Sequence, residues 1–406
     1  MTPHSSPIVI IGGGHAGAQL CGALAEAGLG AQVHLVCEET PLPYHRPPLS
    51  KAYLKNPAET VQLHRAEAWY ADAGITLHRG DAAVALDRAQ HTVRLASGTV
   101  LPYAQLVLAT GARARGLHGL PDGLANVAVL RNAADAERLR SQIGAAERIT
   151  VLGGGFIGLE IAGTARALGK PVTVLESAPR LLGRSVSADI GDHVLQTHRA
   201  AGIDVRLGVA VGGFEVDAGR LQALHVDGER KTVDLQVLGI GAMPEETLAR
   251  NAGLDCANGI VVDSLLRSSD PDILAIGDCC SFPLAGGDRH LRLESVQNAN
   301  DQARTAAATL QGKEQPYAAL PWFWSEQGAL RLQMAGLMPA EGTRHRRPGA
   351  TPASFSVLHY VGERLVCVES VNAPMDHLMS RKLLEAGKSP APAAACDAAT
   401  PLKSFV

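Results

Sequence analysis

Residues 8–17 read IVIIGGGHAG, and residues 149–158 read ITVLGGGFIG. Each is a four-residue apolar run that ends in a glycine turn. A helix-like run follows each turn, at 18–27 (AQLCGALAEA) and 159–168 (LEIAGTARAL). Each run then meets a glycine and a second apolar strand, at 33–36 and 172–175. The same strand–turn–helix–strand unit therefore occurs twice in one chain. Such alternation predicts an α/β protein with parallel, doubly wound sheets.

Further strand-and-turn signals fit the plan. Residues 106–109 (LVLA) run into Thr110-Gly111, residues 237–240 into Gly241, and residues 273–276 (ILAI) into Gly277-Asp278. After Pro321 the pattern changes to separate strand-like segments at 330–334, 354–360 and 365–370, which predict a C-terminal α+β domain. Residues 384–401 are rich in Ala and Pro and read as a flexible connector, so a flexible tail is expected from about 385.

Composition sets bounds on the function. With 406 residues the chain is long enough for two or three domains. A formal net charge of −3 and 19% charged residues give no reason to expect nucleic acid as the partner. No apolar run approaches the roughly 18 residues of a membrane helix, and no basic or apolar leader precedes residue 8. A soluble cytoplasmic protein, monomeric or weakly dimeric, is the expectation. The seven cysteines form no C-x-x-C and read as reduced thiols, the neighbours Cys279 and Cys280 included. The fifteen histidines show no metal-ligand spacing, so no metal is expected.

The glycine turns carry the chemistry. In Gly12-x-Gly14-x-x-Gly17 the first glycine makes the tight turn, the second lets backbone approach a pyrophosphate, and the third lets helix and strand pack closely. The helix N-terminus then offers free N–H groups and its positive dipole to phosphates. Glu38, near the end of the next strand, suits ribose hydroxyls. Gly153-x-Gly155-x-x-Gly158 repeats the logic, with Glu176 at the ribose position. Two complete units imply two dinucleotides. A carboxylate at Glu176 accepts from ribose hydroxyls and repels a 2′-phosphate, which favours NADH. Arg180 and Arg184 lie close by and supply charge that a 2′-phosphate would use. Asp278, at a strand's carboxyl end, is either a turn residue or a ligand contact. Alternation puts Trp322 and Trp324 on one face of an extended segment, as core or as contact surface.

The segments PYHRPPLSKAYL (43–54), LVLATGAR (106–113), GGGFIGLEIA (153–162), AIGDC (275–279), RLESVQNANDQA (292–303) and PWFWSEQ (321–327) together resemble the FAD-dependent ferredoxin reductases that serve bacterial cytochromes P450 and ring-hydroxylating dioxygenases. The resemblance runs almost end to end. It implies an FAD-binding domain at 1–113 plus 242–320, an NAD-binding domain at 114–241 and a C-terminal domain at 321–406. On the FAD side it implies Gly12, Gly14, His15, Ala16, Gly17, Glu38, Arg46, Lys51, Ala83, Ala109, Thr110, Gly111, Arg131, Asp278, Glu294, Ser295, Val296 and Trp324. On the NADH side it implies Gly153, Gly155, Phe156, Ile157, Gly158, Glu176, Arg184 and Gly241. It further implies that Lys51 and Glu160 pair beside the reactive flavin nitrogen. Two departures stand out: Ala83 replaces a usual valine at the adenine, and Glu326 replaces a usual aspartate in the WFWS motif.

The activity so implied is hydride transfer from NADH to FAD, then single electrons to a [2Fe-2S] ferredoxin. Disulfide-reducing enzymes of similar layout carry a cysteine pair where this chain has PPLSK, so electrons are expected to leave the flavin directly. Rubredoxin, a quinone or oxygen are alternative acceptors. A redox-sensing interaction protein like apoptosis-inducing factor is the alternative of another class. Acidic ferredoxins suit a basic face, for which Arg304 and the run Arg344, Arg346 and Arg347 are the candidates.

Overall fold

The computed structural model describes residues 7–284 and 289–406. Its contacts divide the chain into two compact units. The first holds residues up to Arg46, Val61–Arg113 and Ala242–Ala319; the second holds Pro47–Thr60, Ala114–Gly241 and Leu320–Val406.

The first unit is built on a five-stranded parallel sheet. Its order is Ile273–Ala275, Gln105–Leu108, Ile8–Ile11, Val33–Cys37, Thr76–Arg79. The central strand is apolar on both faces because helices cover both, and Val9 and Ile10 are fully buried. Helix His15–Glu26 packs on helix Val296–Leu310. The core of this unit runs from Val9 and Leu35 through Leu106 to Ile273 and Ala303.

The second unit repeats the design. Its parallel sheet has the order Asp204–Leu207, Val172–Glu176, Ile149–Leu152, Leu235–Leu238, Val127–Ala128. A five-stranded antiparallel sheet packs in the same unit, in the order Trp322–Gln327, Leu330–Gly336, Arg364–Val371, Phe355–Val361, Thr343–Pro348. Helix Pro374–Glu385 lies on this sheet. One core joins Leu159 and Val174 of the parallel sheet region to Leu332, Phe355 and Val371 of the antiparallel one. That shared core is why 320–406 groups with 114–241.

Both glycine-turn helices begin three residues before the sequence pattern suggests, at His15 and Phe156. Gly14 and Gly155 are their N-caps, in extended conformation. Residues 47–60, within the bounds that the resemblance implies for the FAD-binding domain, pack in the second unit. Arg140 accounts for part of this: its guanidinium lies over the Tyr53 ring at 4.2 Å and donates to the carbonyls of Tyr53 and Glu59.

The expectation of a flexible tail from about 385 is overturned. Residues Pro392–Cys396 form a short helix, and Ala395 and Leu402 are buried with Leu358, Tyr360 and Leu383. Arg347 donates to the carbonyls of Ala395 and Asp397, both at 2.8 Å, and Tyr360 donates to that of Pro390. Composition misled here because alanine and proline carry no sign of the partner groups that tie them down. The arginine run at 344–347 lies in strand Thr343–Pro348.

Candidate dinucleotide and redox site

Gly12 has φ of +118°, and a Cβ there would meet the Ala109 carbonyl at 2.1 Å. A Cβ on Gly17 would meet the Gly12 carbonyl at 2.0 Å. These two glycines are required by the packing of turn, helix and strand. Gly14 differs, because its nearest neighbour would be Arg46 Nε at 4.0 Å. The space in front of Gly14 lies at the N-terminus of helix His15–Glu26, where the helix dipole favours an anion. A pyrophosphate fits that cradle.

Thr110 Oγ1 donates to the Glu245 carbonyl, and Glu245 donates its N–H to that of Gly111, so the second turn is latched within the unit. Gly277 donates its N–H to buried Gln302 at 2.7 Å, which fixes the turn carrying Asp278. Ser295 caps helix Val296–Leu310 by accepting from the N–H of Asn298, and Glu294 pairs with Arg292 at 2.6 Å. Ala83 opens a strand of the small antiparallel sheet.

Glu38 is exposed just past its strand, free to reach outward. Its neighbour Glu39, which sequence reasoning passed over, accepts from Arg46 at 2.7 Å and from the Tyr44 hydroxyl. Burial alone would lower the Arg46 pKa, but the charges of Tyr44, Glu39 and Asp278 raise it. His15 sits among His45 and His64, with their ring nitrogens within 4.8 Å of one another, a grouping that sequence spacing did not reveal. Burial lowers the pKa of His45 and brings His64 to about 4.

In the second unit Gly153 has φ of +105°, and a Cβ there would meet the Gly239 carbonyl at 2.4 Å. Gly155 again faces the more open side. Glu176 accepts from the Gly154 N–H at 2.6 Å and the Ala178 N–H at 2.7 Å. The carboxylate is thereby set at the mouth of the turn. Arg180 is spent on the carbonyls of Val186 and Gly183. Arg184 reaches toward the Gly241 turn. Phe156 packs edge-on against Phe323 at 4.5 Å, and Ile157 is exposed. Arg131 precedes the N-cap Asn132 of helix Ala133–Ala145, and its N–H donates to Asp135.

The second unit also assembles a charged pair. Lys51 Nζ lies 2.8 Å from Glu160 Oε2, with Glu160 only 4% exposed. Ser50 donates to the same oxygen, and Ser325 donates to the other at 2.7 Å. Thr164, one turn after Glu160, donates to the Ser50 carbonyl at 2.9 Å. Helix Phe156–Ala167 therefore presents Glu160 and Thr164 side by side to the PPLSK segment. Ser50 and Ser325 lie inside quoted motifs, so a signal for them existed; nothing in the sequence marked His198, which joins this network through Gln327. Trp322 and Trp324 share one face, with ring centroids 5.7 Å apart.

The docking candidates differ in their surroundings. Arg304 is 61% exposed and pairs with Asp301, one turn earlier on the same helix. Arg344 pairs with Asp189, and Arg346 lies over the Phe355 ring at 3.8 Å. Arg347 is buried against Asp376 and cannot dock anything. All seven cysteines are free, and burial raises Cys279 and Cys280, so neither is a reactive thiol. Among the described residues no helix is long and apolar enough to cross a membrane.

Two glycine-turn units on parallel sheets define a dinucleotide-binding oxidoreductase. The chain belongs to the pyridine nucleotide-disulphide oxidoreductase family, whose model matches residues 6–303, and the reductase C-terminal model matches 322–406. That family is FAD-containing and NAD(P)H-dependent. The chain is 41% identical to rhodocoxin reductase of Rhodococcus erythropolis over 98% of its length and 93% of the relative's. It is 39% identical to the ferredoxin--NAD(+) reductase component of the anthranilate 1,2-dioxygenase system of Burkholderia cepacia, over 99% and 100%. A covalent putidaredoxin reductase–putidaredoxin complex superposes with a TM-score of 0.93 at 38% identity, covering 98% of each chain.

Proposed function

We propose that this protein is an NADH-dependent ferredoxin reductase that feeds a [2Fe-2S] ferredoxin of a P450 or dioxygenase system. The observation that carries the reading is the end-to-end likeness to reductases named for their ferredoxins, C-terminal region included. Bound FAD supplies the step from two-electron hydride to one-electron transfer. The chain's own residues bind and orient. The Gly12–Gly17 turn and Asp278 are the FAD-side contacts, with Glu38 free to take the ribose. The Gly153–Gly158 turn takes the nicotinamide dinucleotide, and Glu176 selects a free ribose over a 2′-phosphate. Lys51 brings an ammonium to the flavin, held in place by Glu160. Arg304 is the better docking residue because its helix starts at Val296, in the segment proposed to contact the flavin, and its side chain is 61% exposed.

The test is steady-state reduction of a panel of purified [2Fe-2S] ferredoxins with NADH. Reduction of at least one at a rate well above that of free flavin is expected. A yellow protein that oxidises NADH with dyes or oxygen but with no ferredoxin would move the assignment to another acceptor.

A further inference from the structure

A buried chain of hydrogen bonds leaves the Lys51–Glu160 pair on the side away from the lysine. Ser325 Oγ donates to Glu160 Oε1 at 2.7 Å. Gln327 Nε2 donates to Ser325 Oγ at 3.2 Å, and Gln327 Oε1 lies 3.0 Å from His198 Nε2. Every member is buried: Ser325, Gln327 and His198 are 0%, 1% and 3% exposed. The scaffold around the chain is tight. A Cβ on Gly163, in the helix that carries Glu160, would lie 3.1 Å from the Gly328 backbone nitrogen, so helix and strand end are in close contact.

The polarity of this chain follows from elementary accounting. A carboxylate only accepts, so Ser325 must spend its single hydrogen on Glu160. Its lone pair then accepts from an N–H, which turns the Gln327 amide nitrogen toward it. The amide oxygen is left facing His198, whose Nε2 must therefore carry a hydrogen. Burial lowers the His198 pKa, consistent with a neutral ring whose proton sits on Nε2. If His198 ceased to donate, Gln327 could turn over and present its oxygen to Ser325. Ser325 would then donate to Gln327, and Glu160 would lose its bond.

We propose that His198, Gln327 and Ser325 are positioning residues that hold Glu160, and through it the Lys51 ammonium, in the geometry used for hydride transfer. The inference rests on the reading of Lys51 and Glu160 as the pair at the flavin. It extends the working part of the site to helix Ala188–Ala200, which carries no motif of its own. His198 acts by tautomer and not by charge.

The experiment is stopped-flow reduction of the FAD-loaded protein by NADH, separating the limiting rate from the apparent dissociation constant. Four variants are compared: Glu160→Gln, Ser325→Ala, His198→Leu and His198→Gln. Losing one hydrogen bond to a charged group corresponds to roughly tenfold or more. Ser325→Ala and His198→Leu are expected to lower the limiting rate by about that factor, with FAD content and NADH affinity unchanged. His198→Gln keeps an N–H donor and should restore most of the rate. A merely structural role for His198 would not distinguish Gln from Leu in this way. A wild-type rate in Ser325→Ala, or equal rates in His198→Gln and His198→Leu, would overturn the proposal. Should His198→Leu not fold, Ser325→Ala and His198→Gln still decide it. A normal rate in Glu160→Gln would instead remove the assignment of the pair, and the chain's purpose with it.

Discussion

Lys51 and Glu160 are 109 positions apart in the chain and meet at 2.8 Å, with the lysine 20% and the glutamate 4% exposed. An ion pair this sheltered is unlike a surface one. Taking away one partner leaves the other charged and poorly solvated. Lys51→Met should therefore slow flavin reduction by NADH by at least about tenfold, well beyond the effect of removing a surface lysine. Rapid-mixing flavin reduction, with FAD content measured on the same sample, is the check. An unchanged rate with full FAD content would return Lys51 to a structural role.

The glycines of one motif should fail in different ways. Gly12→Ala puts a Cβ into the Ala109 carbonyl at positive φ, so the protein should be unfolded or strongly destabilised. Gly14→Ala meets nothing closer than 4.0 Å, so the protein should fold normally. It should nevertheless lose FAD, because the methyl group fills the space before the helix N-terminus. Thermal melting and the flavin absorbance ratio separate the two outcomes.

Glu176 latches the Gly154 N–H, and it is the acid proposed for the ribose position. Glu176→Ala should lower kcat/KM for NADH by roughly ten- to a hundredfold and leave NADPH less affected. Equal kcat/KM for both nucleotides in the unmodified protein would contradict the assignment. Arg180 should matter little to this preference, since its guanidinium is occupied by backbone carbonyls.

Two arginines proposed on the same grounds should now diverge. Arg304→Glu should impair ferredoxin reduction steeply at low salt and leave NADH-to-ferricyanide activity nearly intact, since screening shortens the steering field. Arg347→Ala should act on the fold instead. It leaves Asp376 with the Ser356 hydroxyl alone and frees the carbonyls of Ala395 and Asp397, a loss of up to about 3–5 kcal/mol by analogy with broken buried pairs. Limited proteolysis should then cut near the C-terminus of the variant first.

Stability should fall in mild acid. Burial, aided by the charges of Arg381 and Arg331, brings the His377 pKa down to about 4 from 6.5. The unfolded chain then binds a proton that the folded one refuses, between about pH 6.5 and pH 4. The contribution is complete above pH 6.5 and is lost as pH falls toward 4. His64 is lowered to about the same value and acts in the same direction. His377→Phe should flatten part of the drop in denaturation midpoint between pH 7 and pH 5.

Much of this molecule is written in local pattern. The two apolar runs with their glycine turns specify strand, turn and helix because a short continuous apolar run, as a strand buried on both faces requires, gives way to a helical run across a residue that tolerates positive φ. Gly12, Gly153 and both parallel sheets were legible for that reason, as were Glu176 at its strand end and the paired faces of Trp322 and Trp324. The tertiary structure decided what no local window contains. It placed Pro47–Thr60 in the second unit, anchored the Ala/Pro-rich tail through Ala395 and Leu402 and turned Arg347 inward. It also chose Glu39 as the partner of Arg46 and brought His198 to Gln327. Those outcomes depend on which buried polar groups find one another across long stretches of chain. A hydrogen-bond partner is a matter of distance in space, and sequence reports only distance along the backbone.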